Sequence, residues 1–385
     1  MKTEYSLETT AIAVAIVLAF VALSSLLKSK IENAEIRHEY KFINGLRGLA
    51  AIFVFINHAP VMLQNLGIKN TVFSYWGQIY PNLGSFGVQV FFCITGFLFF
   101  DKIIKTEKID WTDFFTSRIK RVAPLYYASS ILVFFLAASF SGFQIFNKES
   151  LLAISGMLSF NFIDNPMKIG DVSLVPLSSV TWTLIHEWRF YAVLPLVAIF
   201  YRSRYKAIVM MIAMAVAAID LGSSAIVCWV YFLSGIAAAS IHKITVTSRL
   251  IKFISALVAI SIFALTCGLV EVPGYGAIRF VLTTLFFICI TISNPSFLHY
   301  QFLNRMSDIS YSIYLLHLPI LFLAFKIASA FVDLSSIDKL TFWVINFATI
   351  PAIVAVSTFT FLNIEKRFMQ RARVARPEIA VAQRA

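Results

Sequence analysis

Charged residues are scarce in this sequence. Asp, Glu, Lys and Arg make up 14% of its 385 residues, whereas soluble globular domains carry roughly 25%. Hydrophobic residues make up 59%, against roughly 45–50% in such domains. This composition excludes a soluble enzyme, a disordered chain and a fibrous protein. We therefore predict an integral membrane protein that crosses the bilayer many times.

The signatures of several kinds of catalytic site are also missing. The sequence has no GxSxG nucleophile elbow, no P-loop, no HExxH and no DxD-type acidic pair. We therefore expect neither a metal nor nucleotide hydrolysis. Cysteine is rare and forms no CxxC pair. All four cysteines lie in apolar runs, which predicts small buried side chains rather than disulfides or metal ligands: Cys93, Cys228, Cys267 and Cys289.

Eleven apolar segments approach the length of a membrane-spanning helix, which is about 20 residues. They predict an all-α integral membrane protein with about eleven transmembrane helices. The segment at 206–219 is the shortest and the least certain to span. The segments are 10–27, 46–64, 84–104, 122–142, 182–201, 206–219, 224–241, 250–270, 277–292, 310–331 and 341–362.

Basic residues set the predicted topology. The net charge of +12 comes from Lys and Arg that cluster between the apolar segments. We attribute this charge to the positive-inside rule rather than to nucleic-acid binding. The leader MKTEYSLETT is a poor signal-peptide n-region, so we expect an uncleaved first helix with its N-terminus outside. Alternation from there puts the C-terminus in the cytoplasm and leaves few lysines outside: Lys2, Lys69, Lys148, Lys168 and Lys339.

Arg47 and His58 are the first pair of ionisable residues inside a predicted span, where burying a charge costs free energy. They lie eleven residues apart, about 20° from three full helical turns, so they share one helix face about 16 Å apart. An Arg that snorkels and a His hydrogen-bonded to a neighbouring helix would explain them without any function. A histidine inside a cavity is equally a natural general base.

Arg118 and Arg121 lie three residues apart at the predicted cytoplasmic end of a span. Two guanidinium groups on one helix face match phosphate oxygens and predict a phosphate clamp. Ordinary positive-inside charge is the simpler interpretation of this segment alone.

A third polar group lies in the segment 182–201. Glu187 and Tyr191 share a helix face at a spacing of four residues, as do His186 and Arg189 at a spacing of three. A carboxylate about two turns deep is a candidate for orienting a sugar hydroxyl or polarising a base. A Glu–Arg or Glu–His pair that joins two helices is the structural alternative.

Two further segments carry polar residues at helical spacing. Tyr311, Tyr314 and His317 form a stripe that predicts a polar face towards the bundle interior, where packing with hydrogen-bonded hydroxyls is the common outcome. Thr95 and Gly96 lie among bulky aromatic residues and predict a close helix approach rather than chemistry.

Together these segments resemble acyltransferase family 3, bacterial membrane enzymes that acylate sugars of surface polysaccharides such as lipopolysaccharide or exopolysaccharide. The resemblance runs from about Tyr40 to Phe368. Its most specific part is the Arg47–His58 helix followed by the Arg118–Arg121 pair. Further family-like blocks are Phe91–Phe92 with Gly96–Phe97, Trp182 with Glu187 and Phe190–Tyr191, Ser310–Tyr311 with His317, and Asn363–Ile364–Glu365. Asn44 departs from the family, which often has Asp there.

The resemblance implies a ten-helix core preceded here by one extra span. We expect three regions: 1–40 as an N-terminal helix with a basic linker, 41–368 as the acyltransferase core and 369–385 as a basic cytoplasmic tail. The implied location is the bacterial cytoplasmic (inner) membrane. No esterase-like domain is recognised after the core, so we expect the core to finish the transfer itself or to pass the acyl group to a separate protein.

The resemblance also implies roles for individual residues. Acetyl-CoA would donate the acyl group from the cytoplasm, with its phosphates on Arg118 and Arg121, and a glycan would accept it from outside. Catalysis would use His58 as general base or transient acyl carrier, supported by Glu187 and Arg47. The residues expected to bind substrate are Tyr311, His317, Trp182 and Tyr191.

Two other classes of protein use buried polar residues of this kind. A proton-coupled transporter of small solutes needs intramembrane His, Glu and Arg, although the sequence shows no inverted repeat. A scaffold component of a polysaccharide-export complex would use them only to join helices. The sequence gives no indication of the oligomeric state.

Overall fold

The computed structural model describes residues 7–26, 40–69, 78–143, 145, 147–163, 165–224, 226–244, 246–269 and 274–374. These residues form a helical bundle whose α-helices we number α1 to α16. The predicted basic linker before residue 40 and the tail beyond residue 374 lie outside the described residues. The helices are α1 Leu7–Leu26, α2 Lys41–His58, α3 Met62–Asn65, α4 Ile79–Lys105, α5 Trp111–Phe140, α6 Lys148–Leu158, α7 Val175–Ser178, α8 Trp182–Arg202, α9 Lys206–Ser223, α10 Val230–His242, α11 Arg249–Ala264, α12 Ala277–Ser293, α13 Gln301–Asp308, α14 Ser310–Ala328, α15 Lys339–Thr360 and α16 Lys366–Val374.

Each of the eleven predicted spans coincides with a helix, but not every helix is long enough to cross a bilayer unaided. Within the described residues, eight helices are long and apolar enough to do so. The helix at the shortest predicted span, 206–219, is longer than predicted, because α9 continues to Ser223. The span predicted at 224–241 is shorter, because its helix begins only at Val230. A multi-pass, all-α membrane protein is therefore confirmed, while the number eleven stays a prediction.

The predicted span 46–64 ends early. Its helix, α2, stops at His58 and is followed by a turn and the single-turn helix α3. Pro60 explains the stop, because proline lacks a backbone N–H and restricts the residue before it. His58 therefore lies at the end of its helix rather than well inside it.

Helix α4 lies at the centre of the bundle and α9 at its periphery. In the most apolar stretch of α4, 78% of the residues are buried within the protein, whereas in that of α9 only 6% of the residues are buried. A helix that is apolar all round and poorly covered by protein suits a lipid-facing position. The first cavity described below is lined by residues of α2, α4, α5, α8 and α14.

Gly96 of α4 and Gly235 of α10 allow these two helices to cross closely. A Cβ at Gly96 would lie 2.3 Å from the Phe232 carbonyl oxygen, and one at Gly235 would lie 2.0 Å from the Cys93 carbonyl oxygen. Only glycine fits at such distances, as at other small-residue helix contacts in membranes. The close helix approach predicted at Gly96 is confirmed.

Side-chain caps fix several helix starts outside the apolar stretches. Asp110 accepts a hydrogen bond from the Asp113 N–H (2.9 Å) and Asp338 accepts one from the Thr341 N–H (2.8 Å). These are the usual partners of the first unpaired N–H groups of a helix. The bonds from Thr341 also hold the pKa of the exposed Asp338 carboxyl below its ordinary value.

The long stretch between the predicted spans 122–142 and 182–201 contains regular structure. It contains α6, the two-residue strands β1 (Lys168–Ile169) and β2 (Val172–Ser173) paired antiparallel, α7, and a 3₁₀ turn at Ser179–Thr181. Helix α6 packs with Leu174 and Leu177 against α5 and Phe322 of α14. Of residues 151–163, Ala153 and Met157 are buried in this cluster, whereas Leu151, Leu158 and Phe162 are exposed.

His242 and the cysteines were also predicted from the sequence. His242 directly follows the predicted span 224–241, which indicates a solvated loop position, and the structure corrects this expectation. His242 ends α10 and packs against the rings of Tyr40 and Phe97, with ring centroids 5.4 and 5.6 Å away. The four cysteines are free thiols; three are buried and Cys289 is partly buried, in agreement with the prediction.

Candidate active site

A cavity of about 320 Å³ lies between α2, α4, α5, α8 and α14. Its ionisable lining consists of three arginines, one glutamate and three tyrosines, two of which belong to the predicted polar stripe. The rest of the wall is mostly apolar and aromatic. The lining residues are Arg47, Val88, Phe91, Phe92, Thr95, Leu98, Phe99, Arg118, Arg121, Val122, Thr183, Leu184, Glu187, Tyr191, Ser310, Tyr311 and Tyr314.

The two arginines of α5 lie one turn apart and both line this first cavity. The Arg118 guanidinium lies over the ring of Phe99, 5.1 Å from its centroid, in a cation–π arrangement. The Arg121 guanidinium lies 3.5 Å from the Met369 sulfur. Helix α5 begins at Trp111, so both arginines belong to a helix rather than to the loop before it. Their forked donors therefore have fixed positions.

Glu187 is the carboxylate of the first cavity. It accepts a hydrogen bond from the Tyr191 hydroxyl (3.2 Å) and a weaker one from the Thr95 hydroxyl (3.5 Å). Among the described residues its hydrogen bonds go to hydroxyl groups, not to an arginine or a histidine. With three guanidinium groups against one carboxylate, the first cavity carries excess positive charge and favours an anionic ligand.

Tyr311 and Tyr314 tie α14 to its neighbours. The Tyr311 hydroxyl donates to the Val122 carbonyl of α5 (2.9 Å). The Tyr314 hydroxyl lies 2.7 Å from the Val180 carbonyl oxygen and 2.7 Å from the Thr183 hydroxyl. Both rings line the first cavity, with their hydroxyl groups engaged by the protein. The predicted role of Tyr311 in substrate binding stays a prediction.

A second cavity of about 610 Å³ lies next to the first. It contains His58 and Trp182, and its other polar residues come from the end of α2, from the beginning of α4 with the residue before it, and from the segment before α12. Val88 lines both cavities, so they adjoin at this side chain. The lining residues are Val54, Asn57, His58, Gln78, Pro81, Asn82, Gly84, Ser85, Val88, Trp182, Gly274 and Tyr275.

Gly84 brings α4 against the end of α2 beside His58. A Cβ at Gly84 would lie 2.3 Å from the Asn57 Cβ. This close approach fixes the wall that His58 shares with the second cavity.

The polar residues singled out in the sequence fall into four places. The first cavity brings together Arg47, Arg118, Arg121, Glu187, Tyr191 and Tyr311. The second cavity holds His58 and Trp182. His317 is fully buried and lines neither cavity; its ring packs beside that of His58, with 5.3 Å between the ring centroids. His186 and Arg189 line a separate apolar groove between α8, α9 and α10.

Arg279 of α12 was not identified from the sequence. Its side chain is fully buried. Its guanidinium donates to the Thr266 carbonyl (2.5 Å), the Asn82 amide oxygen (3.0 Å) and the Ser85 hydroxyl (2.9 Å). Asn82 and Ser85 line the second cavity, so Arg279 supports its wall from behind. A single Arg inside an apolar segment was the signal that could have indicated it.

Glu365 was identified only as part of a family-like block. It is fully buried, and one of its carboxylate oxygens accepts a hydrogen bond from the Ser312 hydroxyl (2.5 Å). It ends the π-helical segment Phe361–Glu365, which follows α15. Within the described ranges, no group of three or more His, Cys, Asp and Glu side chains could hold a metal ion.

Comparison with known proteins identifies the family. The family model described as an acyltransferase domain matches residues 40–362. The chain belongs to acyltransferase family 3. The match covers both cavities and every site residue predicted from the sequence.

Curated relatives agree with this family. The O-acetyltransferase OatA of Staphylococcus aureus strain NCTC 8325 / PS 47 is 26% identical over 321 residues, which cover 72% of this chain and 50% of the relative. OatA of strain COL gives the same values. The chain thus spans about half the length of these curated relatives. No solved structure gives a significant match.

Proposed function

We propose that the protein is a membrane O-acyltransferase of the bacterial inner membrane. It would move an acyl group, expected to be acetyl, from cytoplasmic acyl-CoA to a sugar hydroxyl of a cell-envelope polysaccharide or its lipid-linked precursor. The observation that carries this proposal is the pair of adjoining cavities, one lined by three arginines and the other by His58. The N-terminus would lie outside and the C-terminus in the cytoplasm.

The first cavity suits the donor. Arg118 and Arg121 provide forked donors for phosphate oxygens, and the apolar wall suits a pantetheine arm. A cavity of about 320 Å³ is at the lower end of the range for small ligands, roughly 300–1,000 Å³. We therefore assign the thioester and the adjoining arm to this cavity and the nucleotide to its cytoplasmic mouth, next to α5.

The second cavity suits the acceptor. A hydroxyl bound beside His58 would give its proton to the imidazole as its oxygen attacks the thioester carbon near Val88. The new ester C–O bond forms as the C–S bond breaks, and CoA leaves as the thiol after taking up a proton. Trp182 offers a flat apolar surface for a sugar ring. Acyl transfer through His58 itself is the other route that its position allows.

A proton-coupled transporter of small solutes is the alternative. It is favoured by the ionisable residues buried among membrane helices, which also occur in proton relays. A transporter needs one midplane cavity that opens alternately to each side, whereas an acyltransferase needs the arginine pair to bind the donor. Donor binding therefore separates the two functions.

The test is binding of acetyl-CoA to the detergent-purified protein by isothermal titration calorimetry. Wild type is compared with the double variant Arg118→Ala/Arg121→Ala. The control is Lys120→Ala, which removes a cation that lies between the two arginines in the sequence. We expect saturable binding by wild type and Lys120→Ala and its loss in the double variant. Absence of binding by a well-folded wild type would contradict the proposal, and proton-coupled uptake into proteoliposomes would then be tested.

A further inference from the structure

His58 and His317 form a pair of neighbouring imidazoles beside the second cavity; His58 is partly buried and lines the cavity, whereas His317 is fully buried behind it. His58 ends α2 and His317 lies in the middle of α14. Their ring centroids are 5.3 Å apart and the rings are inclined at 43°. Two imidazoles joined by an N–H···N hydrogen bond of about 3 Å have centroids roughly 5 Å apart. The two rings are thus at the separation that such a bond requires.

The hydrogen bond of His317 fixes its tautomer. Its Nδ1 lies 2.9 Å from the Ile313 carbonyl oxygen, and a carbonyl can only accept, so Nδ1 carries the proton. In a neutral imidazole the other nitrogen is then an acceptor. That nitrogen, Nε2, is buried and has no hydrogen-bond partner within the described residues. His317 therefore presents an unused acceptor in the interior.

His58 presents the complementary atom. Its Nδ1 is buried and also has no partner among the described residues. His58 lines the second cavity, and because its Nδ1 is buried we assign Nε2 to the side that faces this cavity. The separation of the two rings is compatible with a hydrogen bond from the His58 Nδ1–H to the His317 Nε2. Such a bond would satisfy two buried polar atoms at once.

We propose that His317 is a positioning residue that selects the tautomer of His58. The chain of hydrogen bonds runs from the Ile313 carbonyl through His317 to His58. With Nδ1 of His58 donating to His317, the lone pair of His58 lies on Nε2, towards the acceptor hydroxyl. This inference rests on the proposed role of His58. It replaces the substrate-binding role that the sequence predicts for His317.

The arrangement follows the logic by which a buried group orients a catalytic imidazole. When the acceptor hydroxyl transfers its proton to His58 Nε2, the bond from His58 Nδ1 to His317 becomes charge-assisted. His317 thereby stabilises the imidazolium as it forms. The positive charge is retained on the His58–His317 pair until CoA leaves and takes up a proton.

Two substitutions separate the functions of the two nitrogens of His317. Asparagine places an amide near the Nδ1 position and keeps the bond to the Ile313 carbonyl, but it provides no acceptor at Nε2. Glutamine places its amide oxygen near Nε2. We expect His317→Asn to lower kcat about 10²-fold with an unchanged KM for acetyl-CoA, because the wrong tautomer of His58 then becomes populated. We expect kcat of His317→Gln to be at least about tenfold higher than that of His317→Asn, since glutamine restores the acceptor.

A second measurement reports the tautomer without any turnover. In protein labelled with ¹⁵N-histidine, the His58 signal, assigned with His58→Gln, should show Nδ1 protonated in wild type and a mixture of tautomers in His317→Asn. His299→Asn is the matched control, because His299 lies outside both cavities and bonds Asn294 instead. It should leave both kcat and the His58 signal unchanged.

Three outcomes would overturn the inference. They are a wild-type kcat in His317→Asn, equal losses in the Asn and Gln variants, and a His58 signal that does not respond to His317→Asn. Failure of the proposed function would be different, because wild type itself would then transfer no acetyl group. The labelled-histidine measurement decides the tautomer question in that case as well.

Discussion

Arg47 and His58 belong to the same helix but open onto different cavities. Arg47 lines the cavity that also holds Arg118 and Arg121, whereas His58 lines the cavity that holds Trp182. Eleven residues of α2 thus separate the charged site from the imidazole, about 16 Å along the helix axis. Binding of the donor and removal of the proton should therefore respond to different substitutions.

His58→Ala should abolish transfer while leaving acetyl-CoA binding intact. Loss of a general base costs roughly 10²–10⁴ in rate, and His58 does not line the first cavity. The measurement is acetyl transfer to an acceptor glycan together with donor titration of the same preparation. His299→Ala is the control, and transfer by His58→Ala above a tenth of wild type would exclude His58 as the catalytic group.

Val88→Phe should slow transfer without weakening acetyl-CoA binding. Val88 is the residue that both cavities share, so a larger side chain there obstructs the passage between the thioester and His58. We expect at least about a tenfold loss in kcat, since small misplacements of reacting groups are costly. The matched variant Val88→Ala widens the passage and should retain activity. Equal activity of the Phe and Ala variants would show that the acyl group does not pass this residue.

Glu187→Gln should lower kcat and leave donor binding unchanged or stronger. The carboxylate is the acidic group among three arginines in the first cavity, so its neutralisation increases the net positive charge that phosphates meet. The amide still accepts a hydrogen bond from Tyr191, which keeps the packing of α8 intact. Steady-state kinetics with varied acetyl-CoA test this prediction. An increase in the KM for the donor with an unchanged kcat would instead assign Glu187 to donor binding.

Gly235→Ala should destabilise the protein by about 1–3 kcal/mol, the usual cost of overpacking. The new Cβ would collide with the backbone of α4, which cannot move without displacing the centre of the bundle. Gly222→Ala is the matched control, because a Cβ there meets nothing within 4 Å. Thermal unfolding in detergent should show a lower midpoint for Gly235→Ala only. Equal midpoints for the two variants would mean that α4 and α10 can separate locally.

The sequence predicts the helices well because membrane spans are long and strongly apolar. Their ends are less predictable, since they depend on local chemistry such as Pro60 after α2. Spacing along one helix predicts that Arg47 and His58 share a face. It cannot predict that neighbouring helices divide that face between two cavities, because the two cavities meet at Val88, which belongs to another helix, α4.

The contacts of buried polar residues can be predicted from the sequence when both partners lie on one helix, but not when they lie on different helices. Glu187 and Tyr191 lie four residues apart, and their hydrogen bond follows from helical geometry alone. Arg279 has partners on α4 and in the segment before α12, so no local spacing indicates its role. His317 was recognised as part of a polar stripe, but its contact with His58 joins two helices that lie far apart in the sequence.

The partners of Arg279 have a consequence for biogenesis. Its hydrogen bonds reach Asn82 and Ser85, residues 197 and 194 positions earlier in the chain. While the ribosome is still producing the later helices, these α4 side chains are already in the membrane without the guanidinium that will bind them. The wall of the second cavity can therefore be completed only after α12 has entered the bilayer, so the acceptor site should be assembled late in synthesis.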